Sequence, residues 1–231
     1  MHIPDGFIDT PTSTGAAAVA VAGVGVSLRR AAATLHERQV PLCGLVAAFV
    51  FAAQMLNFPV AAGTSGHLLG GVLAAVLVGP WAAAVCVSVV LTVQTIVFAD
   101  GGLTALGLNV VNMAIVTALG GYVVFVVLRR MLPATRQGIA LASGIASGIS
   151  VVLASIVFTI EYAIGGSGGA SVATVFGAMV GVHVLIGVGE GFITALTVAA
   201  VLGSRPDLVY AARGRTVPEL DRRVLTPSVG N

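Results

Sequence analysis

The chain has 231 residues, of which 57% are hydrophobic and only 9% charged, and its formal net charge is +2. A soluble domain is about a quarter charged, so most of this surface is excluded from facing water, and the small charge gives no footing for nucleic acid. All eleven basic residues are arginine; without lysine there is no P-loop, so the chain does not hold ATP that way.

A bilayer crossing takes about 20 apolar residues, and the apolar runs predict seven spans near 14–28, 41–57, 60–78, 81–98, 105–128, 138–162 and 173–202. The expected fold class is therefore all-α, a polytopic membrane protein with seven transmembrane helices. The first positive charge, Arg29, follows the first apolar run, the reverse of a signal peptide, so no cleaved leader is expected. Thr10-Pro11 reads as N-cap and first-turn proline of the first helix. Arg29, Arg30 and Arg38 fall between spans one and two, Arg129, Arg130 and Arg136 between five and six, and the other five follow span seven. The positive-inside rule makes that side cytoplasmic, with the N-terminus outside the cell and the C-terminus inside. Cys43 and Cys86 lie far apart in apolar runs and read as core fillers rather than a disulfide or thiolate site.

Span three is irregular. Residues 57–66 carry Pro59, Gly63 and Gly66 where a helix should begin, so the helix is expected to start near His67 and to end before Gly79-Pro80. Twelve residues at about 1.5 Å each cover roughly 18 Å, short of a ~30 Å hydrocarbon core. Such an interrupted span points to a binding site in transporters and sets His67 below the outer surface, at the mouth of a cavity. In span six Gly144 and Gly148 form a GxxxG for close helix approach. From Ser204 the chain turns polar, with Pro206, Pro218 and Pro227; residues 204–231 are expected as a flexible cytoplasmic tail after a single transmembrane domain, 1–203.

The polar residues within the spans gather in the outer half: Gln54, Asn57, Ser65, Gln94, Asp100, Asn109, Asn112 and Glu161. They read either as a pocket open to the outside or as hydrogen bonds between helices. His183 and Glu190 lie seven apart in span seven, on one helix face. An intramembrane ionisable group is a functional hypothesis; the alternative is a buried pair satisfied by backbone or by each other. His36, in an arginine-bearing loop, reads as solvated.

A chain opening Met1-His2 offers one metal ion three nitrogens: the α-amine, the deprotonated His2 amide and the His2 imidazole through Nδ1. They close a five- and a six-membered chelate ring. A fourth nitrogen completes a square plane, and His67 is the histidine expected at the outer face. Four nitrogens in a plane suit Ni(II) or Cu(II), with Co(II) open, whereas zinc prefers a tetrahedron. Ile3-Pro4-Asp5-Gly6 places proline and glycine at turn positions, folding the first residues, an N-terminal metal loop over 1–11, back toward the body. Asp5 thereby joins the polar residues of the pocket.

Met-His-Ile-Pro-Asp-Gly-Phe at 1–7 resembles the opening of the CbiM/NikM family, the substrate-specific S components of energy-coupling factor importers for cobalt and nickel. Gly63-Thr-Ser-Gly-His67-Leu-Leu-Gly70-Gly is similar to that family's second metal-site segment, and the likeness runs through Gln54 to Pro59, Asp100 to Asn112 and His183 to Glu190, covering residues 1 to about 202. The resemblance implies that Met1 contributes its amine, His2 its amide and side chain, and His67 its imidazole, with Ni2+ or Co2+ as transported substrate. It also implies a transmembrane T component, two cytoplasmic ATPases and commonly a small extra membrane protein as partners. Two rivals stand beside this reading. An intramembrane metallohydrolase lacks an H-E-x-x-H pair, and a self-sufficient secondary carrier or channel has only Glu190 as a central acid.

Overall fold

The computed structural model describes residues 1–56, 58–59 and 65–213, with the side chains of Arg38, Phe58, Pro59 and Ser65 left aside. Among these, seven helices carry the fold: α1 Thr10–Thr34, α2 Val40–Gln54, α3 Gly71–Val78, α4 Pro80–Phe98, α5 Leu106–Met131, α6 Arg136–Gly165 and α7 Val172–Ser204. Five of them, α1 and α4 to α7, are long and apolar enough to cross a membrane. The other two are not: at about 1.5 Å per residue α2 and α3 reach only roughly 22 and 12 Å. A short antiparallel ladder between β1 Phe58–Pro59 and β2 Ser65–Gly66 lies ahead of α3.

Two expectations shift at helix starts. Asp9, not Thr10, caps α1, its carboxylate accepting the Thr12 N–H at 2.9 Å, while Pro11 keeps its first-turn place. His67 does not begin α3. Gly70 adopts φ +74°, a left-handed turn that stops any helix running through it, and α3 starts at Gly71. His67 to Gly70 are thus irregular backbone inside the fold. All of α3 is buried, and at its start Gly71 lies against Thr117 and the backbone of Ala118, where a side chain has no room. That neighbour is the π-helical stretch Val111–Gly120 of α5.

The α6–α7 pair is joined by glycines on both sides. A Cβ added at Gly148 would stand 2.9 Å from the Gly187 carbonyl oxygen, and one at Gly191 would stand 2.8 Å from that of Gly144. The GxxxG of α6 therefore meets a matching Gly187/Gly191 pair on α7. Large apolar side chains such as Val93 and Ile96 of α4 and Leu185, Val188 and Phe192 of α7 point outward, the surface a bilayer would cover. The chain does not leave the helical body at Ser204. Two 3-10 turns, Pro206–Leu208 and Tyr210–Ala212, follow, with Val209 fully buried and the Tyr210 ring against Gly79 and Tyr122. Residues 214–231, most of the expected tail, lie outside the described residues.

Candidate metal centre

The first residues fold into the bundle. Pro4 to Phe7 make a turn, the Phe7 N–H meeting the Pro4 carbonyl at 3.4 Å, with Gly6 at φ +76°. Phe7 then stacks on Tyr162 and Phe158 of α6, at ring separations of 5.2 and 5.9 Å. Upstream of the turn, Ile3 is gripped on both backbone edges. Its N–H donates to Asn109 Oδ1 at 2.8 Å, and its carbonyl accepts from the Gly102 N–H at 2.8 Å and from Asn109 Nδ2 at 3.3 Å. Asp5 accepts from the Thr104 N–H at 2.8 Å and from its hydroxyl at 2.5 Å. Met1 and Ile3 are fully buried and His2 nearly so.

This path delivers His2 to His67. Their rings lie 4.6 Å apart, centroid to centroid, tilted by 30°. His67 Nδ1–H donates to the Leu68 carbonyl at 2.7 Å, leaving Nε2 buried with no hydrogen-bond partner among the described residues. An imidazole so fixed presents a lone pair, the form a metal takes. His2 Nε2 meets Gln94 Oε1 at 3.2 Å; with the proton there, Nδ1 carries the lone pair. Nδ1 lies 3.2 Å from Asp100 Oδ1 but makes no aligned hydrogen bond. Burial, then the neighbouring amine, pushes the His2 imidazole down to about 4, so at neutral pH this is no ion pair. A lone pair facing a carboxylate is a place where a cation relieves repulsion. Burial also pushes the Met1 amine down to about 4, against the opposing pull of Asp100, and an unprotonated amine is a nitrogen donor. No three His, Cys, Asp or Glu side chains gather into a metal-holding cluster among the described residues.

The segment after His67 is held by helices far away in sequence. Glu190 accepts the Leu69 N–H at 2.5 Å and the Gly70 N–H at 3.0 Å, and also the Ser147 hydroxyl at 2.9 Å. Gln54 Nε2 donates to the Leu69 carbonyl at 2.8 Å. Of the remaining polar residues marked in the sequence, Asn112 donates to Glu161 at 2.6 Å. His183 Nδ1 meets the Met179 carbonyl of its own helix at 2.7 Å, so His183 and Glu190 are not each other's partners. Asn57 lies outside the described residues, as does the Ser65 side chain. Sequence reasoning missed Thr104, Gly102 and Ser147, three common residue types without a spacing signature; the one signal available is the Gly101-Gly102 pair after Asp100, a dipeptide that favours a tight turn.

Long apolar helices around a buried polar centre define a multi-pass membrane protein. The family described as the cobalt uptake substrate-specific transmembrane region, CbiM, matches residues 2–208, and the chain belongs to that family. It is similar to a putative fused nickel transport protein NikMN of Archaeoglobus fulgidus, 43% identical over 209 residues that cover 90% of this chain and 68% of that one. A cobalt transport protein CbiM of Sorangium cellulosum is 34% identical over 218 residues, covering 90% and 94% of the two chains. The crystal structure of a truncated transition metal transporter matches with a TM-score of 0.82 at 28% identity, covering 88% of this chain and 99% of that one.

Proposed function

We propose that this chain is the substrate-binding membrane subunit of an energy-coupling factor importer for Ni2+ or Co2+, taking the ion from outside the cell. The donors are the Met1 amine, the His2 amide and Nδ1, and His67 Nε2. The observation that carries the reading is the meeting of the buried His2 and His67 rings at 4.6 Å, each with a ring nitrogen that no hydrogen bond occupies. The nickel and cobalt named in the relatives' descriptions support the choice of ion. Binding closes residues 1–5 over the ion and releases the amide proton, so affinity rises with pH. A transmembrane T component and two cytoplasmic ATPases then drive inward release, with a small extra membrane subunit as a further partner.

The test is nickel and cobalt titration of the purified chain beside a version carrying ten further residues, none of them histidine, before Met1. The extension turns the amine into an amide and should lower affinity by more than the roughly 10–100-fold that losing an outer-shell partner costs a metal site. Equal affinities would remove the amine from the donor set. Uptake by this chain alone in liposomes without ATP would replace the importer subunit with a self-sufficient carrier.

A further inference from the structure

Two consecutive peptide planes, Leu68–Leu69 and Leu69–Gly70, cross the interior between His67 and α3 without helical partners. Each is gripped at both edges. In the first, the Leu69 N–H donates to Glu190 Oε2 at 2.5 Å while the Leu68 carbonyl accepts from His67 Nδ1 at 2.7 Å. In the second, the Gly70 N–H donates to Glu190 Oε1 at 3.0 Å while the Leu69 carbonyl accepts from Gln54 Nε2 at 2.8 Å. Glu190 is 2% exposed, and the Ser147 hydroxyl, itself accepting from Thr194 at 3.1 Å, completes its shell. N–H and C=O of a trans peptide point in opposite directions, so the carboxylate and the imidazole sit on opposite edges of one rigid unit.

We infer that Glu190 is a positioning residue for the metal centre, acting through the Leu68–Leu69 peptide on His67. Carboxylates commonly orient metal-bound histidines by direct contact; here a peptide stands between the two groups. With its N–H held by the carboxylate, the peptide cannot turn, and its carbonyl fixes the imidazole with the proton on Nδ1 and the lone pair on Nε2. Hydrogen bonds in series polarise one another, which strengthens Nε2 as a donor. Ser147 on α6 and Glu190 on α7 also tie the His67 nitrogen to the glycine-packed helix pair. Gln54 bonds the Leu69 carbonyl and so steadies only the following plane. The inference rests on His67 being a ligand of the proposed site.

Glu190→Gln keeps size but turns one acceptor into a donor facing a peptide N–H. Nickel affinity of the purified full chain should fall about 10–100-fold, the range for losing an outer partner of a metal-bound histidine. The decisive readout is the same change in a His67→Ala background, where Met1 and His2 still supply three nitrogens and binding stays measurable. If Glu190 acts through His67, the second loss vanishes. Ser147→Ala, which leaves the carboxylate in place, should lose a few-fold on the same pattern and serves if Glu190→Gln does not fold. Equal losses in both backgrounds, or no loss with His67 present, overturn the inference. Wild-type affinity in His67→Ala alone would instead remove His67 from the site and take this inference with it.

Discussion

Two irregular segments bring the candidate donors together, and they are held by different means. Residues 67–70 are held by hydrogen bonds from side chains on α2 and α7, Gln54 and Glu190, both shut away from solvent. Residues 1–5 are held by hydrogen bonds to Asn109, Gly102 and Thr104 and by close fit against the loop ahead of α5. Gly101 and Gly102 let the chain lie on that loop so closely that a Cβ at Gly101 would stand 3.1 Å from His2 Cδ2, and one at Gly102 would stand 2.7 Å from the Pro4 carbonyl carbon. The outermost anchor of this segment, Asp5 on Thr104, is exposed. Water competes at an exposed anchor and not at a buried one, so under the proposed function residues 1–5 are the part that moves and His67 is the fixed reference.

The largest effect that would break this comparison is steric. Gly102→Ala puts a methyl into the backbone of Pro4 and Asp5, which can yield only by withdrawing the segment. Displacing the N-terminal donors should cost at least the upper end of the roughly 10–100-fold that losing one outer-shell partner costs a metal site, so nickel affinity should fall by about 100-fold or more while the helical fold persists. Gly15→Ala, where a Cβ meets nothing within 4 Å, should leave it unchanged. Unaltered binding in Gly102→Ala would show that residues 1–5 do not lie on this loop when metal is bound. A smaller loss is expected from Asn109→Ala, which removes both side-chain bonds to Ile3. A buried N–H left unmade costs about 1–3 kcal/mol, so titration should read roughly a 10-fold loss, with Asn109→Asp, which keeps the acceptor, losing less. Asn112→Ala, whose partner is Glu161, should barely matter to binding; equal losses at the two positions would detach Asn109 from the N-terminal segment.

The helices were legible in the sequence because apolar runs and arginine boundaries report a local property. All seven runs contain a helix, and the interrupted third run marked irregular backbone over 57–66 with the helix starting near His67, whereas the irregular stretch runs on and the helix begins at Gly71. Its end point was not legible: whether Gly70 takes a left-handed turn depends on what packs beside it, here Val50. The π-helical stretch of α5 left no mark on apolar periodicity either. At the centre, Met1, His2 and His67 stood out through donor chemistry, and Gln94 and Asn109 through being polar where little else is. Glu190 stood out as a buried acid, but its partners are main-chain N–H groups some 120 positions away, which no spacing in one sequence encodes. Pairing it with His183 was natural on a single helix; the fold instead gave each a separate partner.

The smallest expected effect concerns the exposed anchor and depends on pH. The Thr104 hydroxyl and then its backbone N–H hold the Asp5 carboxyl below its ordinary range. A carboxyl that binds its proton less tightly in the folded chain than in the unfolded one stabilises the fold fully above its unfolded value, about 3.9, and loses that contribution as pH falls through its folded value. Asp5→Asn should therefore speed amide hydrogen exchange in residues 3–6 of the metal-free protein by a few-fold at pH 7, consistent with one exposed hydrogen-bonded pair. The difference from the unsubstituted chain should shrink as pH drops below about 3.9 and vanish below the lower folded value, where Asp5 itself is neutral. A difference that stays constant from pH 7 to pH 3 would mean that the carboxylate charge does not anchor the segment, and the burden of holding it would pass to Asn109 and the two glycines.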